Sequence, residues 1–235
     1  MVDSEKTTTS SAAVQDMVSR LDVDAVGIAN LAEWKGTKLE DTALRLLPQA
    51  RSVVVFAMTY YPEILALASH QKIMGAASMN ELLERHADYL NGRLTKASYD
   101  VAKSSHNVGL KALPLGPVGC PVDVRFMEAV LSFKHAGEAA GLGKIGWHSL
   151  LMTPTFGPRV RLSCCLTEAE LEPTHIDMNV KCVECGICID SCPAGALTKP
   201  RDNELYSINR FACSSYRSAS GGCNECMRVC PTGDG

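Results

Sequence analysis

No run of apolar residues approaches the roughly 20 needed to cross a bilayer, so the sequence predicts no membrane span. The opening stretch, MVDSEKTTTSSAAVQD, lacks the basic start and apolar centre of a secretory leader. It therefore reads as cytoplasmic, a reducing setting in which disulfides are rare. Neither sign of charge is in excess: 23 Lys and Arg face 26 Asp and Glu, for a formal net charge of -3. That balance excludes a global attraction to nucleic acid and leaves only a local basic patch open. A Gly-Lys-Ser/Thr phosphate loop is missing too. There is no internal repeat apart from two groups of cysteines.

What is present is a chain of 235 residues with 46% hydrophobic content, enough for one sizeable domain and a small appendage. Residues 1–12 read as a disordered tail ending at a helix start near Ser10 and Ser11. Short apolar runs at 25–31, 52–61, 110–115 and 159–167 read as strands. The second is apolar on both faces, as a strand covered on both sides must be. Residues 64–104 read as helical, with Leu83, Ala87, Leu90, Leu94, Ala97 and Val101 in one stripe. A further helix is expected over 126–140. The alternation predicts an α/β layered domain over 13–175. A second, turn-rich domain is expected over 176–235.

That second domain holds eight of the eleven cysteines. Cys182, Cys185, Cys188 and Cys192-Pro193 follow the C-x2-C-x2-C-x3-C-P spacing of a bacterial ferredoxin. Cys213, Cys223, Cys226 and Cys230-Pro231 supply a second set. In this pattern the cysteine before proline serves the other cluster. The expectation is two [4Fe-4S] clusters, one on Cys182, Cys185, Cys188 and Cys230, the other on Cys192, Cys213, Cys223 and Cys226. The competing reading is zinc, which more often uses two separated C-x2-C pairs. Cys164 and Cys165, neighbours on a strand, face opposite sides and read as buried small apolar residues. Cys120 lies in a loop and could line a pocket.

A bare two-cluster ferredoxin needs only about sixty residues for its cysteine runs, so the first domain gives electrons somewhere to go. Its most informative stretch is KHAGEAAGLGKIGWHSLLMTPTFGPRVRL. GLGKIG follows a helix instead of opening one, so it is no dinucleotide fingerprint. Its glycines fit either close approach to a flat ligand or a helix stop and tight turn. Tyr60 ends the central strand, where α/β sheets bind ligands; packing in the core is the alternative. Arg159 and Arg161 could meet a ligand or face solvent.

The series AAGLGKIGWHSLL, FGPRVRL, LTEAELEP, the cluster run and FACSSY…CNECMRVCP resembles the epoxyqueuosine reductase family, with reductive dehalogenases as more distant kin. The likeness covers roughly residues 50 to 231. It implies a nitroreductase-like α/β domain holding cobalamin, followed by a ferredoxin-like dicluster domain that reduces it. The corrinoid would carry the hard chemistry. By the same likeness Gly141, Leu142, Gly143, Gly146, His148 and Ser149 match the turn at the corrinoid. Asp123, in PVD, resembles the segment bearing a catalytic proton donor; a solvated loop carboxylate is the other reading. His135 stays undecided. The chain stops five residues after Cys230, without the family's tRNA-holding repeats, and 182–235 has no basic excess. The expected partners are therefore a low-potential donor such as a ferredoxin or flavodoxin and a small-molecule or corrinoid-protein substrate, not tRNA. The alternatives are an electron-transfer or corrinoid-activating protein without its own substrate, and a degenerate domain with a structural role.

Overall fold

The computed structural model describes residues 2–68, 76–118, 120–175 and 180–233. Its centre is strand β2 (Ser52–Thr59), in which every residue but the last is buried. The run of Val and Phe suits a strand covered on both faces. β1 (Ala25–Asn30) pairs with it antiparallel, Ala25 opposite Ala57. β8 (Val160–Thr167) pairs on the other side, Ser52 opposite Thr167. β3 (Ala112–Leu115) closes the sheet against β8, giving the order β1-β2-β8-β3.

Alternation along β2 splits the core in two. Val54, Phe56 and Met58 pack with Val14 and Val18 of helix α1 (Val2–Ser19), Leu65 of α3 (Pro62–Ala68) and Leu90, Leu94 and Val101 of α4 (Ala76–Asn107). Val53, Val55 and Ala57 pack with Ala43 of α2 (Lys38–Leu46), Ala136 of α5 (Phe133–Ala139) and Leu151. Burying a side chain of Val or Phe size contributes about 1.5–3 kcal/mol. Cys164 joins the second cluster and Cys165 the first, both fully buried, so the two thiols do face opposite sides. Burial pushes the Cys165 thiol up to about 12. Ser105 Oγ meets Thr167 Oγ1 at 2.9 Å and Ser163 Oγ donates to Leu94 O, tying α4 to β8.

Three expectations shift. Residues 2–12 belong to α1 instead of a disordered tail. Hydroxyls hold this end of the helix where apolar groups are few: Ser10 Oγ donates to Val108 O, and Ser11 Oγ accepts from Glu170 N. The helix expected over 126–140 is only α5. Before it, β4 (Val122–Asp123) and β5 (Glu128–Ala129) form a hairpin. Its bend uses Met127 at φ 49, and Val130 N bonds back to Pro121 O. The helical stretch over 64–104 is two helices; residues 69–75 between them, like Gly119 and 176–179 of the expected boundary, lie outside the described residues.

Short elements make up the second domain. They are α6 (Ile187–Asp190), an antiparallel pair β9 (Leu197–Thr198) and β10 (Ser207–Ile208), α7 (Arg210–Ala219) and α8 (Glu225–Arg228). Asn224 Nδ2, at the start of α8, donates to Leu65 O of α3. Arg159, just before β8, is buried and donates to Cys230 O at 2.7 Å and Thr232 O at 3.0 Å. Gly157, at φ +55, lies so close that an added Cβ would meet Thr232 O at 1.9 Å. Arg159 thus answers neither earlier reading; it is a clamp between the domains. Arg161 Nε donates to Asn91 Oδ1 of α4.

Arg159→Met should cost about 2–4 kcal/mol, since two charge-assisted bonds to carbonyls are lost. Thermal unfolding at matched iron content measures this. Protease cleavage after residue 228 should quicken in parallel.

Candidate metal and cofactor site

The first thiol group is assembled by backbone that only special residues tolerate. Glu184 at φ 55 and Gly186 at φ 76 turn the chain between Cys182 and α6. Cys188 then sits on α6, buried. Cys182, Cys185, Cys188 and the distant Cys230 line one cavity, together with Trp147 and His148 of the first domain. Burial, then the Cys182, Cys230 and Cys185 thiols, push Cys188 up to about 11. The second group gathers in the same way. Burial, then the Cys223, Cys213 and Cys192 thiols, push Cys226 up to about 12. The weakest contribution to Cys226 comes from Cys188, so the two groups lie next to each other. Ala196 N already donates to Cys192 Sγ at 3.3 Å. Among the described residues, no three His, Cys, Asp or Glu side chains form a group that could hold a metal ion. The thiols could instead surround two larger units.

Above the first group sits the glycine turn. Gly141, at φ 74, ends α5. A Cβ on Gly143 would lie 1.9 Å from Met152 O, so only glycine lets β6 (Lys144–Ile145) pair with β7 (Leu151–Met152). A Cβ on Gly146 would press on the His148 ring, 2.9 Å from Cε1. Leu142 is core. The glycines therefore build a helix stop and a tight turn, and they set His148 beside the thiols. His148 Nδ1 accepts from Leu150 N at 3.0 Å, and its buried Nε2 meets no protein partner among the described residues. Burial, with the Lys134 charge adding, pulls His148 down to about 4.

Beyond α5 opens a cavity of about 860 Å³, within the range of small-molecule sites. It is lined by α2, the β4–β5 hairpin and α5 from one domain and by Tyr206 and Arg210 from the other. Lys38 pairs with Glu128 at 2.6 Å and Lys144 with Glu138 at 3.8 Å. Lys134 has a different environment. Its Nζ donates to Ser149 O at 2.9 Å and Oγ at 2.6 Å, and lies 3.8 Å from the Tyr206 ring centre. Ser149 is buried at φ 68, which turns both oxygens to that amine. Burial, then Arg210, pull Lys134 down to about 8. His135 lines the cavity too, its Nδ1 bonded to Ser132 Oγ at 2.7 Å.

Residues 181–233 match the 4Fe-4S dicluster domain family. The epoxyqueuosine reductase of Bacillus subtilis (strain 168) is 27% identical over 205 residues, 81% of this chain and 49% of its own length. A tetrachloroethene reductive dehalogenase of Desulfitobacterium hafniense is 25% identical over 203 residues, 77% of this chain and 32% of its own. The chain is similar to these reductases. It spans about half or less of their lengths. A solved epoxyqueuosine reductase superposes with TM-score 0.58 at 19% identity, over 97% of this chain and 67% of that one. A reductive dehalogenase whose structure suggests B12-dependent dehalogenation superposes with TM-score 0.68 at 19% identity, over 93% and 31%. Both show a shared fold. With the dicluster match, the two sets of four thiols fit two [4Fe-4S] clusters.

Two expected residues are engaged with other side chains. Asp123 is locked to Arg125: Nε to Oδ1 at 3.0 Å, Nη2 to Oδ2 at 2.7 Å, and the Arg125 amide to Oδ1. Those bonds hold its carboxyl below the usual range, so near neutral pH it is a carboxylate without a proton to give. Tyr60 is buried in the α3–α4 core, its ring edge-on to His86 at 5.7 Å. Cys120 is half-buried, and burial raises its thiol. Sequence reasoning missed Lys134. Its signal was faint: a lysine on the helix just ahead of the turn. No helix among the described residues is long and apolar enough to cross a membrane.

The Lys134 amine should titrate with a midpoint near 8. It is charged below that pH and neutral above it, whereas an ordinary lysine keeps its charge to about 10.4. A carbon-13 titration of the lysine Cε signals, assigned by Lys134→Arg, reads this directly.

Proposed function

We propose that the chain is an iron–sulfur oxidoreductase that delivers low-potential electrons through two [4Fe-4S] clusters to a corrinoid. Cys182, Cys185, Cys188 and Cys230 hold one cluster; Cys192, Cys213, Cys223 and Cys226 hold the other. The observation that carries this reading is the first thiol cavity. Four cysteines from two separated runs meet there under Trp147 and His148 of the α/β domain. A cluster at that place is covered by the α/β domain.

The fit to a corrinoid rests on the roomy cavity beyond the turn, lined from both domains. When bound, a corrinoid supplies a strongly nucleophilic, strongly reducing cobalt. The chain's own residues do the rest. Trp147 and the buried turn cover the first thiol group on the side of the buried Cys188 and Cys230, while Cys185 stays exposed. The Lys134 Nζ holds a proton near neutral pH and can hand it into the cavity. Asp123 would serve as donor only after leaving Arg125. Its present pairing favours the second reading, an electron-transfer or corrinoid-activating protein without its own small-molecule substrate. On the outer side an open groove lined by Cys213, Arg217, Ser218 and Gly222 reaches the second group. It suits the approach of a small ferredoxin or flavodoxin in the cytoplasm. A tRNA substrate would need a more extended basic surface.

Anaerobically reconstituted protein should carry about eight iron and eight sulfide per chain. Added cobalamin should shift to its base-off spectrum. Stoichiometric zinc, about four iron, or an unchanged cobalamin spectrum would sink the corresponding half of the proposal. Paramagnetic resonance on Cys230→Ala should show damage to the cluster of Cys182, Cys185 and Cys188. Damage confined to the other cluster would refute the exchange of ligands.

A further inference from the structure

His148 is buried, yet half of its hydrogen-bonding capacity is unspent. The Leu150 amide donates to Nδ1 at 3.0 Å, which makes that nitrogen the acceptor. A neutral imidazole carries one proton, so it sits on Nε2. A doubly protonated ring would carry a proton on Nε2 as well. Nε2 is therefore an N–H donor, and among the described residues no protein atom accepts from it. Orphaned buried donors are rare in native proteins and call for a partner.

The surroundings name the kind of acceptor. His148 lines the cavity of Cys182, Cys185, Cys188 and Cys230, where the polar chemistry is sulfur. The ring has little freedom to turn away. His148 is 3% exposed, and the Leu150 bond fixes its Nδ1 edge. Resting on the cluster assignment above, we propose that His148 Nε2–H donates to a sulfur of the first cluster and raises its reduction potential. A hydrogen bond to cluster sulfur stabilises the more negative, reduced state, and such bonds are among the features that set cluster potentials. The second group already has the Ala196 amide on Cys192. His148 is the first group's counterpart, supplied by the other domain. It acts as a positioning and tuning residue and touches no substrate.

The test uses the anaerobic, cluster-loaded chain without cobalamin. In a potentiometric titration followed by paramagnetic resonance, His148→Phe should shift only the first cluster. Its reduced-to-oxidised ratio at a fixed potential should fall about tenfold, equal to about 59 mV for one electron. His148→Gln, which keeps an N–H donor, should recover part of the shift. A variant-free measurement guards against misfolding. In wild-type chain labelled with nitrogen-15 histidine, pulsed resonance of the reduced first cluster should show coupling to the label. Full iron content with an unshifted potential, or without that coupling, overturns the role of His148 and leaves the clusters standing. Absence of the first cluster from the wild-type chain overturns both.

Discussion

The buried guanidinium of Arg159 binds the carbonyls of Cys230 and Thr232, and the placement of both thiol groups depends on it. Its own backbone is equally committed. Arg159 O accepts from Tyr60 N at 2.8 Å and from Thr59 Oγ1 at 3.2 Å, at the end of the central strand. One residue therefore joins the edge of the β2–β8 ladder to the last cysteine of the chain. A buried cation is tolerable only if its N–H groups find partners, and the carbonyls of Cys230 and Thr232 are two of them here. The Gly157 backbone, too near Thr232 for any side chain, makes the same contact from beside it. Asn224 on Leu65 O supplies a second, independent tie at the start of α8. Between these two ties lie Cys226 and Cys230, one from each thiol group.

The glycine turn then divides two electrostatic settings. On one side His148 is neutral and faces sulfur. On the other, Lys134 keeps a proton with a midpoint near 8 and faces the large cavity. The two are coupled, because the Lys134 charge is one reason that His148 resists protonation. Ser149 mediates this division. Its left-handed backbone turns both of its oxygens onto Lys134, so the chain leaves His148 and meets the amine within one residue. Gly143 and Gly146 matter to function by letting β6, β7 and the imidazole pack this closely, with no ligand required to explain them.

How much of this was legible follows from how local each signal is. The cysteine spacing is a statement about a few consecutive turns, and it marked out both groups and the exchange proposed for them. The α4 stripe and the doubly apolar β2 report their own burial, so Leu90, Leu94 and Phe56 were readable as core. Contacts across the chain were not. Ser10 and Ser11 look like a solvated tail until Val108 and the Glu170 amide come into reach. The β4–β5 hairpin hides in a sequence that also scans as a helix, because its bend depends on a positive φ at Met127. Tyr60 follows a rule for the ends of strands, yet His86 on α4 claims that end. Arg159 was ambiguous because an arginine on a strand looks the same whether its partner is water or a carbonyl seventy residues away.

On the proposed reading, the exchange of cysteines between the runs has a mechanical consequence. Cys188 sits on the single helical turn α6 and Cys192 just after it, yet they belong to different groups. Cys226 and Cys230 do the same across α8. Two helices of four residues thus bridge the groups twice, and their contact with each other fixes the separation of the groups without help from the α/β domain. Electron transfer between the clusters would be a property of the small domain alone. Delivery onward is different, since it depends on where the pair sits relative to Trp147 and His148. That relation is set by Arg159, Gly157 and Asn224. A loosened clamp would leave both clusters intact and exchanging electrons with each other, while the path into the large cavity lengthens. The two domains thus have separable faults, and the constraint that matters most for turnover lies in the junction and not in the thiols.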